Sequence, residues 1–331
     1  MQSQSLQCQR QRGDPRRIGA GTLCLLLAAF GFSFKSILIK LLYARGIEHD
    51  TILIMRFSMS APLFALALLF REGPRAFRMR LSEFAAISAI SIIGILGSTY
   101  LSLYAIQRMQ ASIATVLIFT YPIITILILA FWKRRLPLRM FGISLLALTG
   151  LALTLRADAM SLMRDPGALA AAIGAAICFG FYNAAGERFF SGFSPLRLSA
   201  FSIMIPTLVL MAGLGWKQYP NDGAAWTLGA LLAILSGFLP FYLFMIGLRI
   251  VGAGPGTITN SLGPVFNSLW AFLLLGEGKS PWQLLGIGLV LLAVISVRSW
   301  PAQRWLRLQR IRARRRSLQG ARSGALVTQP Q

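Results

Sequence analysis

Two stretches decide how this chain is read: LSLYAIQRMQASIATVLIFTYPIITILILAFW (Leu101–Trp132) and FMIGLRIVGAGPGTITNSLGPVFNSLWAFLLLGE (Phe244–Glu277). Laying Pro122 on Pro264 brings Ala111 onto Ala253, Thr115 onto Thr257, and Ala105-Ile106-Gln107 onto Gly247-Leu248-Arg249. Downstream, Phe141-Gly142-Ile143 meets Leu285-Gly286-Ile287 after a two-residue slip. Upstream, Phe30-Gly31-Phe32 resembles Phe179-Gly180-Phe181, and Pro62 resembles Pro206. The matches keep one order in both halves, which marks a duplicated architecture.

A helix needs about 20 mostly apolar residues to cross a bilayer. Working outward from the two stretches, ten such runs stand at 18–43, 50–70, 83–104, 111–132, 139–156, 167–187, 198–216, 224–246, 255–275 and 282–298. The gaps are short and carry turn residues such as Gly73-Pro74, Pro137 and Pro166-Gly167. Each half holds five spans, an odd number, so the second half inserts upside down relative to the first. The expected fold is an all-α integral membrane protein with ten transmembrane helices as two inverted five-helix repeats. Residues 1–17 form a basic tail, 18–160 the first repeat, 161–298 the second, and 299–331 a second basic tail. Inverted repeats of this kind build alternating access around a midplane site.

Composition points the same way. Only 13% of the 331 residues are charged and 56% are hydrophobic, whereas soluble domains carry about 25% charge. The formal net charge of +23 would suit nucleic acid, but its distribution says otherwise. With the N-terminus in the cytoplasm, 24 of the 33 Lys and Arg residues fall on inside segments and 6 on outside ones. The remaining three, Lys35, Lys40 and Arg56, lie within spans. Positive charge resists translocation, so this split supports the topology. It explains the basicity without a nucleic-acid partner. The expected setting is a bacterial inner membrane with both termini cytoplasmic. No cleaved signal peptide is expected, because Lys35 and Lys40 stand where a small-residue cleavage site would follow. In the C-terminal tail, Trp305, Leu308 and Ile311 alternate with arginines, which predicts an interfacial helix on an anionic inner leaflet. Cys8, Cys24 and Cys178 suggest neither a disulfide framework nor a metal knuckle. The single histidine, His49, and the lack of paired carboxylates or a phosphate loop argue against an enzyme, and no cofactor or metal is expected.

The quoted stretches resemble the fourth-helix region of the EamA family in the drug/metabolite transporter superfamily. The second copy is the better match, with a Gly-Ala step, a polar helix start, a mid-helix proline and a closing Gly-Glu. GFSFKSILIKLLYARGI (Gly31–Ile47) followed by TILIMRFSMSAPLF (Thr51–Phe64) is similar to the first two helices of that family. One departure is clear: Lys133-Arg134-Arg135 replaces the closing glutamate in the first copy, so Arg135 stands opposite Glu277. The resemblance implies a secondary carrier of small metabolites, commonly an exporter of amino acids or related compounds. It also implies a central cavity lined by helices 1–4 and 6–9, with helices 5 and 10 peripheral.

Several residues are candidates for substrate contact. Lys35, Lys40 and Arg56 are charges within apolar spans, which face a cavity or a partner because mid-bilayer charge is costly. Lys35 and Lys40 lie about 140° apart around a helix and cannot both look into one narrow cavity. Lys40 holds a position like the first-helix lysine of the family. Snorkelling is the plain alternative for it, as is an ion pair of Arg56 with Glu48 or Asp50. Together the cations would attract a carboxylate or another anionic group. Pro122 and Pro264 are expected to kink helices 4 and 9 beside the substrate. Tyr121, Asn260 and Asn267 beside them, with Tyr182 and Asn183 after Phe-Gly-Phe, either bind substrate or join helices. Glu187 reads as interfacial. With no acid mid-span, a uniporter or exchanger of anionic or zwitterionic metabolites is expected. Two other functions stay open: a nucleotide-sugar or phosphorylated-metabolite exchanger, and a non-transporting scaffold subunit. A homodimer is compatible with the sequence.

Overall fold

The computed structural model describes residues 15–109, 111–154, 165–214, 220, 222–266 and 281–298. The C-terminal tail, Asn267 and Glu277 lie outside the described residues. All regular structure among the described residues is helical. Helix α1 is Pro15–Ala44, α2 His49–Glu72, α3 Leu81–Arg108, α4 Ala111–Lys133 and α5 Leu138–Thr154. The second half supplies α6 Pro166–Phe189, α7 Pro195–Leu214 and α8 Gly223–Val251. Helix α9 begins with Ala253–Asn260, and α10 is Pro281–Arg298. Seven of these helices are long and apolar enough to cross a bilayer, and Leu138–Thr154 and Pro281–Val297 are shorter apolar helices. The protein is an all-helical membrane protein.

The register that lays Pro122 on Pro264 also superposes the irregularities of the two halves. It lays Ala111–Ile118 on Ala253–Asn260, and Leu81–Ile90 on Gly223–Leu232. Helix α3 carries a π-helical segment at Ser91–Gly97, and α8 carries one at Ala233–Phe238. Such slipped turns are rare and concentrate at functional sites. Helix α4 turns at Phe119 and Thr120 before resuming at Tyr121, which places Pro122 in a first turn where its missing N–H costs nothing. Helix α9 turns at Ser261, just ahead of Pro264.

Packing obeys the same symmetry. Helix α1 lies against α8 and α6 against α3, while α1 meets α9 and α6 meets α4. Helices α2 with α7, α5 with α10, and α4 with α9 each meet their own counterpart. Exchanging the halves therefore converts these contacts into one another, as a two-fold relation between inverted repeats requires.

Close approach at these crossings relies on residues without side chains. A Cβ added at Gly94 in the π-segment of α3 would stand 2.6 Å from Tyr182 Cβ on α6, and one at Gly150 would stand 2.8 Å from the Gly286 carbonyl oxygen. Small residues let helix backbones approach in a solvent that provides no hydrophobic drive between helices. The interior holds Leu25, Ile39, Leu42, Phe57, Phe64 and Phe244, and Ile52 to Met55 are buried on all sides of α2. Phe70, Phe131 and Leu138 are exposed by 82%, 81% and 72%. In water such a surface would be an aggregation face; in lipid it is the ordinary outer surface.

Two exposed ion pairs join the halves at opposite ends. Lys133 Nζ at the end of α4 lies 2.7 Å from Glu187 Oε1 at the end of α6. Arg45 Nη1 after α1 lies 2.8 Å from Asp222 Oδ2. Asp222 also caps α8, its Oδ1 accepting the Ala224 N–H at 2.9 Å. That backbone hydrogen bond and then Arg45 hold the Asp222 carboxyl below its ordinary value of 3.8. A depressed carboxyl stabilises the fold above its ordinary value, and the contribution disappears as pH falls through the lowered one. Thermal unfolding across pH 2–6 should therefore show a shallower acid decline for Asp222→Asn than for the native chain below about pH 4.

Candidate functional site

Helices α1 to α4 and α6 to α9 all contribute lining residues to a cavity of about 140 Å³. Lys35 and Arg56 both line it, α1 supplying one and α2 the other, and among the described residues no Asp or Glu does. Lys35 makes no ion pair with a described residue, and Arg56 makes none with Glu48 or Asp50. Arg56 Nη1 is buried without a hydrogen-bond partner. Lys40, facing away from Lys35 around α1, is exposed and does not line the cavity.

The break in α4 shapes the wall of the cavity. Tyr121, 1% exposed at the start of the resumed helix, donates its hydroxyl proton to the Thr257 carbonyl oxygen at 3.3 Å. Asn260 Nδ2 donates to Tyr121 Oη at 3.0 Å, so the two broken helices are joined at their breaks. Asn260 Oδ1 is buried and has no partner. Pro264 lines the cavity beside it, whereas Pro122 is buried behind Tyr121.

Tyr182 and Asn183 belong to a different cavity, of about 180 Å³, near the Lys133–Glu187 pair. The Tyr182 hydroxyl shares a 2.8 Å hydrogen bond with the Ser202 hydroxyl. Asn183 Nδ2 donates to the Phe179 carbonyl oxygen at 2.8 Å. The two cavities have no lining residue in common. Between them stands an aromatic layer: the Phe179 ring stacks on Tyr182 at 6.4 Å and on Phe244 at 6.0 Å, and its edge meets Tyr121 at 4.8 Å.

Several lining residues escaped the sequence reading. Ser98, Thr99 and Ser102 turn hydroxyl-bearing side chains of α3 into the first cavity. The spacing of Ser98 and Ser102, one helical turn, was the available signal. Phe179 and Phe241 also line it, yet an aromatic in an apolar span carries no signal of its own. Glu187 is more than interfacial. Its Oε2 accepts the Ala253 N–H at 2.6 Å, a favourable place for negative charge at the start of α9. Gly252, at φ +99, makes the turn that presents this N–H.

Duplicated helical halves that enclose largely apolar cavities set with a few polar groups, inside a lipid-facing shell, are the build of a membrane carrier. The EamA-like transporter family matches this chain twice, over residues 19–156 and 166–299. The chain belongs to that family, within the drug/metabolite transporter superfamily, and is not an enzyme. Three relatives illustrate its range. "Uncharacterized transporter YcbK" of Bacillus subtilis is 24% identical over 284 residues, covering 82% of this chain and 91% of the relative. "Threonine/homoserine exporter RhtA" of Escherichia coli is 31% identical over 206 residues, 60% of this chain and 65% of that exporter. "Uncharacterized inner membrane transporter YicL" of Salmonella typhimurium is 25% identical over 292 residues, 84% and 94%. A crystal structure with 19% sequence identity shares the fold, with a TM-score of 0.69 over 87% of this chain and 99% of its own.

Proposed function

We propose that the protein exports small amino acids or similar zwitterionic or anionic metabolites across a bacterial inner membrane, with both termini in the cytoplasm. The observation that carries the cargo class is the pairing of Lys35 and Arg56 on one cavity that no acid among the described residues lines. Two cations facing one space repel each other and neither has a counter-ion among the described residues, so an incoming carboxylate is the natural complement. The planar guanidinium suits a carboxylate in two-point contact, and the ammonium adds a point charge. Asn260 Oδ1 is left to accept from an N–H or O–H of the cargo. The name of the exporter RhtA supports amino acids as the cargo and export as the direction. The basic loops support the cytoplasmic assignment of the Arg-rich face. The anionic inner leaflet would be the partner of the basic tail, and the substrate the partner of the cavity. The chain halves of 18–160 and 161–298 would serve as the two inverted units.

Cations converging in one cavity also favour a second reading, in which the anion is the phosphate of a phosphorylated metabolite. A scaffold role fits less well, because Arg56 and Asn260 keep unpartnered buried polar atoms that a packed, inert interior would satisfy. Purified protein in liposomes loaded with L-threonine, L-homoserine, a triose phosphate or a nucleotide sugar separates the readings. Efflux of the amino acids alone is the expected result. Efflux should persist when the proton gradient is collapsed, since no carboxyl among the described residues is held mid-span to relay protons. Movement of the phosphorylated compounds alone would overturn the amino-acid reading.

A further inference from the structure

We infer that the cavity beside the Lys133–Glu187 pair is a second substrate site, which docks the ammonium group of a zwitterionic cargo on Asn183 Oδ1. This rests on the amino-acid reading above and adds a site to it. Asn183 is 2% exposed and lines the cavity, and its Oδ1 is buried with no hydrogen-bond partner among the described residues. The amide cannot turn to satisfy that oxygen, because Nδ2 is committed to the Phe179 carbonyl, which can only accept. A buried acceptor without a donor is costly to leave, so the position calls for a ligand that brings N–H or O–H groups. Glu187 lines the same cavity four residues further along α6, on the same face one turn on. Its carboxylate is held by Lys133 and the Ala253 N–H, yet an ionised carboxylate has about four acceptor sites in all. The cation that shares the cavity, Arg249, is drawn towards the α6–α7 loop, its Nη1 donating to the Phe193 carbonyl oxygen at 2.6 Å.

The two cavities thus differ in chemistry, the second lining its wall with one acid and one cation and the first with two cations. One presents acceptors and lies by the Arg-rich face; the other presents two cations and lies beyond the Phe179–Tyr182 layer. An amino acid arriving from the Arg-rich face meets acceptors for its ammonium first and cations for its carboxylate second.

The test uses the full-length protein in detergent and three probes: L-threonine, 1-amino-2-propanol, which lacks the carboxylate, and 3-hydroxybutyrate, which lacks the amine. Asn183→Leu should weaken L-threonine and 1-amino-2-propanol by about tenfold and leave 3-hydroxybutyrate unchanged. Asn183→Asp keeps the acceptor, adds charge, and should bind 1-amino-2-propanol more tightly than the native protein. The aspartate variant decides the matter if the leucine variant fails to fold. Should native protein bind L-threonine while 1-amino-2-propanol binds the aspartate variant no differently, the second site is overturned and the amino-acid reading stands. Should native protein bind none of the three probes, both are overturned.

Discussion

L-Threonine efflux by the Arg56→Ala protein should fall at least about tenfold, with the unfolding temperature unchanged or raised. The two effects have opposite origins. Removing a charged partner from a carboxylate forfeits a contact of about 1.5–3 kcal/mol, which reads as a tenfold loss or more. The same substitution relieves the folded protein of a guanidinium whose Nη1 is buried and unpartnered, and mid-bilayer charge costs about 2.5–3.5 kcal/mol on insertion scales. Lost transport in a protein of undiminished stability therefore separates cargo binding from misfolding. Lys35→Ala should behave alike, and the double variant should lose less than the two single losses combined, because both cations address one group. Lys40→Ala should stay within about twofold of native, since Lys40 is exposed and off the cavity. Native efflux by Arg56→Ala would overturn the carboxylate role.

The second large effect is structural. Gly286→Leu should lower the unfolding temperature in detergent by roughly 3–10 °C, and Gly288→Leu should leave it nearly unchanged. A Cβ at Gly286 would press on the backbone of α5, against the Gly150 carbonyl and the Thr154 amide, with no flexible side chain able to yield. Overpacking of this kind costs about 1–3 kcal/mol. Gly288 is exposed and has nothing within 4 Å of the same built atom. Equal stability of the two variants would mean that α5 and α10 do not depend on this contact.

The repeat was legible because proline fixes the backbone and glycine frees it, so each marks a place where the geometry is special. Pro122 and Pro264 alone set a register that lays one broken helix on the other residue for residue. The π-segments were not legible. Ser91–Gly97 and Ala233–Phe238 read as ordinary apolar helix, because one slipped hydrogen bond leaves hydropathy unchanged. At the site, Arg56 announced itself as a charge in an apolar run. Which of Lys35 and Lys40 faces inward was beyond a single sequence: their angular separation excludes both, but the direction of the cavity depends on how α1 sits against α8. The Glu187 contact with Ala253 was equally hidden, since it joins residues 66 apart through the approach of two helix ends.

Lys133–Glu187 and Arg45–Asp222 are single, water-facing bonds, with side chains 30–47% exposed. Pairs of that kind, screened by solvent, contribute little to stability. They therefore act as latches and not as locks, and the larger bulk between the two cavities is the group of rings around Phe179.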